Sequence, residues 1–393
     1  MGVEVRAIEL PGEAVRFVKS WWPIYVGDPH WVPPLISERK RFFDPTVNPY
    51  FKYATIRCFM AFRDGTPVGT IAATVDHKQQ EHEAGVGLFG FFEFHDDPEV
   101  AGALLDAAKA FLAGEGMKVA RGPFNFNSNH EFGLLVDGFD TDPCIANPHN
   151  RAYYGAMYER LGLVKAMDWY AYWLDKGEMP PRIAAINKRF MDRNPNVTLR
   201  KVDMANWEAE VKLFYEIYND SWENNWGHIH FSLDEFMFTA EGLKQVINPD
   251  LCWFCYVGDE VAGASITLPD FNQVAKKMNG RIFPFGWWHY LMGRNKIDVL
   301  RVFVLGIRQK FQHLPLGSPL YTKTWEEGQK LPIRGAECSL ILDVNTRMRG
   351  AMEKLGGRIY KTYRTYEIAL VPGGLGDQRK PGDPDPAAPA TDP

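Results

Sequence analysis

The feature that most constrains the fold is a similarity of the chain to itself. MYERLGLVK at 157–165 resembles AMEKLGGRI at 351–359, so Glu159 falls on Glu353, Leu161 on Leu355 and Gly162 on Gly356, each 194 positions apart. The same offset carries RDGTPVGTIAATV (63–75) onto VGDEVAGASITL (257–268), with Gly69 on Gly263. A repeat this long means two copies of a domain rather than a solenoid of short units. The 393 residues are ample for both.

Each copy reads in one order. In the second, 206–222 has apolar residues at helical spacing, and Ser232, with Glu235 three positions on, caps a second helix. CWFCYVGDEVAGASITLPD follows as a hairpin turning at Gly258-Asp259, then a buried strand at 301–307, a helix at 317–330, a strand at 337–344, a helix at 346–356 and a strand at 361–370. The first copy gives a hairpin at 54–76, strands at 86–94, 117–124 and 165–174, and helices at 98–114 and 151–162. Strands alternating with helices after a hairpin imply an α/β fold on a mixed sheet. The expected domains are 1–180 and 200–371, joined through a basic, Pro-containing stretch near 180–200. Residues 372–393 hold a single Leu and no aromatic, the composition of a disordered tail.

Composition narrows the function. Hydrophobic residues are 46% of the chain and aromatics 14%, which excludes wholesale disorder; a net charge of −5 argues against a nucleic-acid partner. Five scattered Cys suggest a reduced cytoplasmic protein. No run of about 18 apolar residues is present, the N-terminus lacks a signal-peptide pattern, and Arg6 stands where myristoylation wants Ser or Thr. Cys252-x-x-Cys255 lies within one strand and has no second pair, so no metal is expected.

The order hairpin, strand, helix, strand, helix, strand resembles the GNAT acyltransferase superfamily, and the run from Asn345 to Met-Glu-Lys-Leu-Gly at 352–356 resembles its closing pattern. The resemblance covers about 50–370 as two tandem copies. It implies acyl-CoA as co-substrate, with no permanently bound cofactor, and a donor strand followed by a phosphate-cradling loop. Backbone N–H groups at a helix start favour such an anion. Here the implied donor residues are Val304, Leu305, Gly306, Arg308, Gln312, Gly317, Ser318 and Asn345. Pro315 replaces the loop's first Gly and removes one donor. The first copy's counterpart, His95 to Glu99, is acidic and would repel a pyrophosphate, so the second copy is the expected donor site. The superfamily's Tyr acid is Met352 here, which has no proton to give.

Other stretches suggest an acceptor site. Trp222, Asn225 and Trp226 lie in a connection that would roof it, or else pack as helix-pair core. Asn125, Asn127, Asn129, His130 and Glu131 form a polar segment after a strand, suited to an acceptor head or to the interface between copies. Glu337, at the rim of the implied thioester gap, is the first choice of general base, with His130 and Glu131 next. Phe285, Trp287 and Trp288, followed by Arg294 and Lys296, combine aromatics and cations as interfacial membrane segments do; a buried aromatic cluster is the alternative.

These features suit a long-chain N-acyltransferase acting on a lipid-like amine, with peripheral contact at the inner face of a membrane. The tandem layout and the NWG and GPFN segments look most like the bacterial ceramide synthases, which N-acylate a sphingoid base. The competing readings are a small-amine or amino-acid N-acetyltransferase, transfer from acyl carrier protein docked on Arg308, Lys310 and Lys323, and a non-catalytic lipid-binding relic.

Overall fold

The computed structural model describes residues 2–375; most of the segment read as a tail, 376–393, lies outside the described residues. Thirteen strands form the sheet: β1 (Glu4–Ala7), β2 (Ala54–Arg63), β3 (Thr66–Asp76), β4 (Val86–Phe94), β5 (Val119–Gly122), β6 (Leu134–Asp137), β7 (Val164–Asp175), β8 (Val197–Lys201), β9 (Cys252–Val257), β10 (Glu260–Pro269), β11 (Val299–Ile307), β12 (Gly335–Leu342) and β13 (Arg358–Ala369). They run in the order β1-β2-β3-β4-β5-β13-β7-β12-β11-β10-β9-β8, with β6 also pairing β13.

That order is the internal repeat written in space. β1 to β5 match β8 to β12 in mirror order about a central antiparallel pair, β7 and β13. The two copies do not form separate sheets: each copy's last strand lies beside the other copy's β5 or β12. Only β4–β5 and β11–β12 pair in parallel, so the sheet is mixed. The stretch read as a joint at 180–200 holds the helix Pro181–Arg193, whose apolar residues Ile183 and Phe190 pack on the core.

The repeated glycines have physical reasons. Gly162 and Gly356 follow helix ends and take φ of 84° and 87°, the left-handed conformation that a side chain resists. Gly69 and Gly263 face the next strand so closely that a Cβ would meet the carbonyl oxygens of Glu93 and Gly306 at 2.8 and 2.6 Å.

Both faces of the first half of the sheet are covered. The helix Pro98–Gly114 packs with Phe89, Phe94 and Tyr158 on one face. On the other, the N-terminal segment folds into the helices Ala14–Lys19, Trp21–Ile24 and Ile36–Phe42, which bury Phe17, Trp21 and Phe42 against Phe91 and Phe126. This double coverage is why β4 reads as a nearly continuous apolar run.

Candidate active site

The site begins where two strands part. β11 and β12 pair only from Val299–Gly335 to Val302–Cys338. Next to this point the register of β10 and β11 slips past Phe303, a bulge that turns β11 away from its parallel neighbour. Phe303, Val304 and Leu305 on one side and Ser339 to Leu342 on the other line the opening of a cavity of about 960 Å³. Gly306 ends this edge. A Cβ there would meet the Trp222 ring at 2.5 Å, so the indole lies directly on the strand backbone.

In the first half, β4 and β5 also part, after Leu88–Arg121. Here the gap is filled. Phe124 N–H donates to the Phe89 carbonyl at 2.7 Å, and Asn125 Oδ1 accepts from Phe91 N–H at 2.8 Å. Of the two gaps, only the second opens between its strands.

The donor loop lies outside the cavity lining, at the start of the helix Gly317–Gln329. Gln312, Leu314 and Ser318 N–H groups donate within the loop's own turns, and Arg347 caps the Gln312 carbonyl at 3.2 Å. The Arg308 guanidinium lies 3.8 Å from Asp220. Asn345 does line the cavity, while its Oδ1 accepts from Met348 N–H at the following helix start.

The polar acceptor segment divides. Asn127 is fully buried, donates to Asp76 at 3.0 Å and accepts from Asn129 N–H; it builds the turn and does not line the cavity. Asn125, Asn129, His130 and Glu131 do line it. Asn129 donates to the Ile229 carbonyl and accepts from Tyr218, tying the roof to the first half. Both Glu131 oxygens accept from Arg39 Nη2 at 2.6 Å. His130 Nε2 lies 3.4 Å from Glu235, and burial, aided by the nearby Arg39 charge, pushes its pKa down to about 3. The roof carries Trp222, Asn225 and Trp226, with Trp226 stacked under Arg121 at 4.7 Å.

Glu337 sits differently from its reading as a rim carboxylate. It is fully buried and absent from the cavity lining. Asn147 Nδ2 and Ser339 Oγ donate to its Oε1 at 2.6 Å, Tyr360 donates to Oε2, and Arg301 Nε lies 3.6 Å away. The carboxylate anchors the cavity wall from behind.

The helix Gly286–Gly293 carries the aromatic stretch outward instead of burying it. Phe283, Phe285, Trp287 and Trp288 are 77%, 72%, 43% and 53% exposed. Ile282, Trp287 and Tyr290 also line the cavity, whereas Phe285 and Trp288 do not.

Several lining residues escaped the sequence reading: Trp31 and Arg39 from the N-terminal segment, Glu93, Asn147, His149 and Arg301. Glu93 accepts from Tyr25 and Tyr154 at 2.8 and 2.9 Å, and burial pushes its carboxyl up to about 7. His149 Nε2 lies 3.0 Å from Asp28. The paired segments GDPH (27–30) and NPHN (147–150) were the available signal, two Pro-His steps flanked by Asp or Asn. Among the described residues no helix is long and apolar enough to cross a membrane, and no group of three or more His, Cys, Asp or Glu could hold a metal.

No protein-family profile matches the chain. It is 36% identical over 378 residues to a protein named bacterial ceramide synthase from Caulobacter vibrioides, covering 94% of this chain and 98% of that one. It is 33% identical to protein YghO of Escherichia coli, over 88% and 90% of the two chains. Among solved structures, a tandem GNAT protein from the clavulanic acid biosynthesis pathway superposes with a TM-score of 0.54 at 11% identity, covering 94% of this chain and 99% of that one. A probable N-acyltransferase from Enterococcus faecalis gives 0.52 at 8% identity, over 96% and 75%. With the doubled sheet, the parted strands and these relatives together, the chain belongs to the bacterial ceramide synthase family, N-acyltransferase enzymes on a tandem GNAT fold.

Proposed function

We propose that this enzyme moves a long acyl group from acyl-CoA to the primary amine of a lipid-like acceptor, with a sphingoid base as the first choice. The observation that carries this reading is the continuity of the cavity. It runs from the β11–β12 gap to Ile282, Trp287 and Tyr290, beside the exposed aromatic patch. Its volume of about 960 Å³ is at the top of the range for small-molecule sites, as a lipid substrate requires. The name of the Caulobacter relative supports the same acceptor class.

In this reading the thioester lies in the gap against Val304 and Leu305, where free strand N–H groups would polarise its carbonyl. Its diphosphate lies near Gln312, Gly317 and Ser318, with Arg308 alongside. The altered loop is tolerable because each buried CH₂ of a long chain contributes about 0.8 kcal/mol. The acceptor's head sits beneath Trp222 and Trp226, near Asn125 and Asn129. Its chain leaves past Trp287 to the patch, which rests on the inner face of a membrane, with Arg281, Arg294 and Lys296 toward anionic headgroups. Glu337 keeps Asn147 and Ser339 in place at the gap.

The test is thiol release from acyl-CoAs of several lengths, with a sphingoid base or a short amine as acceptor, after mass spectrometry of co-purified lipids. Turnover should rise steeply with acyl length and require the long-chain amine. Equal rates with acetyl-CoA and a short amine would refute the reading.

A further inference from the structure

Amide formation needs a neutral amine. An alkylammonium with the pKa of lysine, about 10.4, is neutral in roughly one molecule in a few thousand at pH 7. The three residues suggested by sequence do not provide a ready proton acceptor. Glu337 is fully buried, held by three donors and absent from the cavity lining. Glu131 is neutralised by Arg39 through both oxygens. His130 has its proton affinity depressed by burial and by the same Arg39.

His149 meets the requirement. Its side chain is only 3% exposed yet belongs to the cavity lining. Nε2 lies 3.0 Å from Asp28 Oδ2, which fixes the proton on that nitrogen, while Nδ1 is buried without a partner. The donor gap is near. Asn147, two residues earlier, donates to Ser339 at 3.0 Å, and two residues of chain span at most about 7 Å. Burial holds the imidazole below its ordinary pKa against the pull of Asp28, so it is neutral at pH 7. Burial also pushes Asp28 up, but the bonds from His149 and the His30 N–H, with the charge of Arg151, outweigh it and keep the carboxylate ionised.

We propose that His149, oriented by Asp28, takes the proton from the acceptor's ammonium. This rests on the N-acyl-transfer reading above. Nδ1 accepts one proton, and Asp28 stabilises the imidazolium that forms. The freed nitrogen lone pair then bonds to the thioester carbon, and the C–S bond breaks with its electrons on sulfur. The second proton leaving nitrogen goes to the thiolate, giving amide and free thiol, and His149 returns its proton to water. The titratable and charged groups facing His149 are Asp28 and His30 from the N-terminal segment, Arg151 from its own loop, Lys361 from β13, and Glu93 of β4 through the Tyr25 hydroxyl, which also donates to the His149 carbonyl.

The test is steady-state thiol release by the full chain with a long acyl-CoA and a sphingoid base. His149→Gln should lower kcat at pH 7 by about 100-fold or more while leaving the acyl-CoA KM nearly unchanged. Its rate should climb with pH toward the amine's own pKa, where the wild type has already levelled off. His149→Ala should regain turnover on addition of imidazole, which a merely structural role would not produce. Should neither variant fold, Asp28→Asn is decisive, with an expected loss of at least about tenfold and the same steepened pH profile. Near wild-type kcat in the folded His149 variants, or in Asp28→Asn, overturns the assignment but leaves N-acyl transfer standing. So does a full loss confined to Glu93→Gln. If the wild type releases no thiol with any long-chain amine, the functional reading falls, and this proposal with it.

Discussion

Replacing Phe285 and Trp288 by Ala separates membrane contact from the cavity, because both side chains stand in the exposed patch and neither lines the cavity. A large aromatic presents 150–250 Å² when fully exposed. At 72% and 53% exposure the pair shows roughly 250 Å² to solvent. Complete withdrawal from water at 25 cal/mol per Å² would contribute about 6 kcal/mol, and interfacial insertion that covers half of it about 3 kcal/mol. The double variant should therefore partition onto anionic vesicles about 100-fold more weakly in a flotation assay. Its melting temperature should hardly move, because the lost contacts are with solvent. Partitioning within a factor of about two of the wild type would refute the docking role of the patch.

Three further outcomes follow from buried groups and close contacts. Glu337→Gln leaves the Arg301 charge, 5% exposed at the side chain, without its counterion, and should cost about 3–5 kcal/mol in urea unfolding along with turnover; a change below about 1 kcal/mol would show that Arg301 finds another partner. Gly306→Ala drives a methyl into Trp222 and Ser221, at 2.5 and 2.9 Å, so thiol release should fall sharply with a melting point a few degrees lower; normal donor kinetics would mean the indole moves freely. Burial pushes Glu235 up to about 8, above its unfolded value near 4.3, so its stabilising neutral form is complete below pH 4 and lost as pH rises through 8. Wild-type melting temperature should fall between pH 6 and 9, and Glu235→Gln should flatten that slope; parallel slopes would place the titration elsewhere.

The repeat, the hairpins and the order of elements were legible because they depend on local pattern: alternation, caps, and glycines where a side chain would collide or φ is positive. The strand exchange was not. β7 and β13 carry the same alternation whichever copy they join, and their partners are set by contacts nearly 200 residues away. Much of the site was hidden for the same reason. Alternation locates Glu337 on a strand but cannot show Asn147, Tyr360 and Arg301 closing around it. Asp28 and His149 meet across 121 positions. Trp222 and Trp226 were legible because paired indoles among polar residues are chemically unusual wherever they lie. The aromatic stretch at 283–292 gave its composition away but not its exposure.

The exchange of β7 and β13 also dictates the order in which the chain can mature. When a ribosome has made the first 180 residues, every strand of the first copy exists, yet β5 has no neighbour on its outer side until Arg358–Ala369 emerges. The nascent protein must carry an open sheet edge through most of its synthesis, a state that invites pairing with other chains. A gene cut between the copies would give two fragments that each hold the other's missing strand, so co-expression should restore one enzyme where either piece alone aggregates.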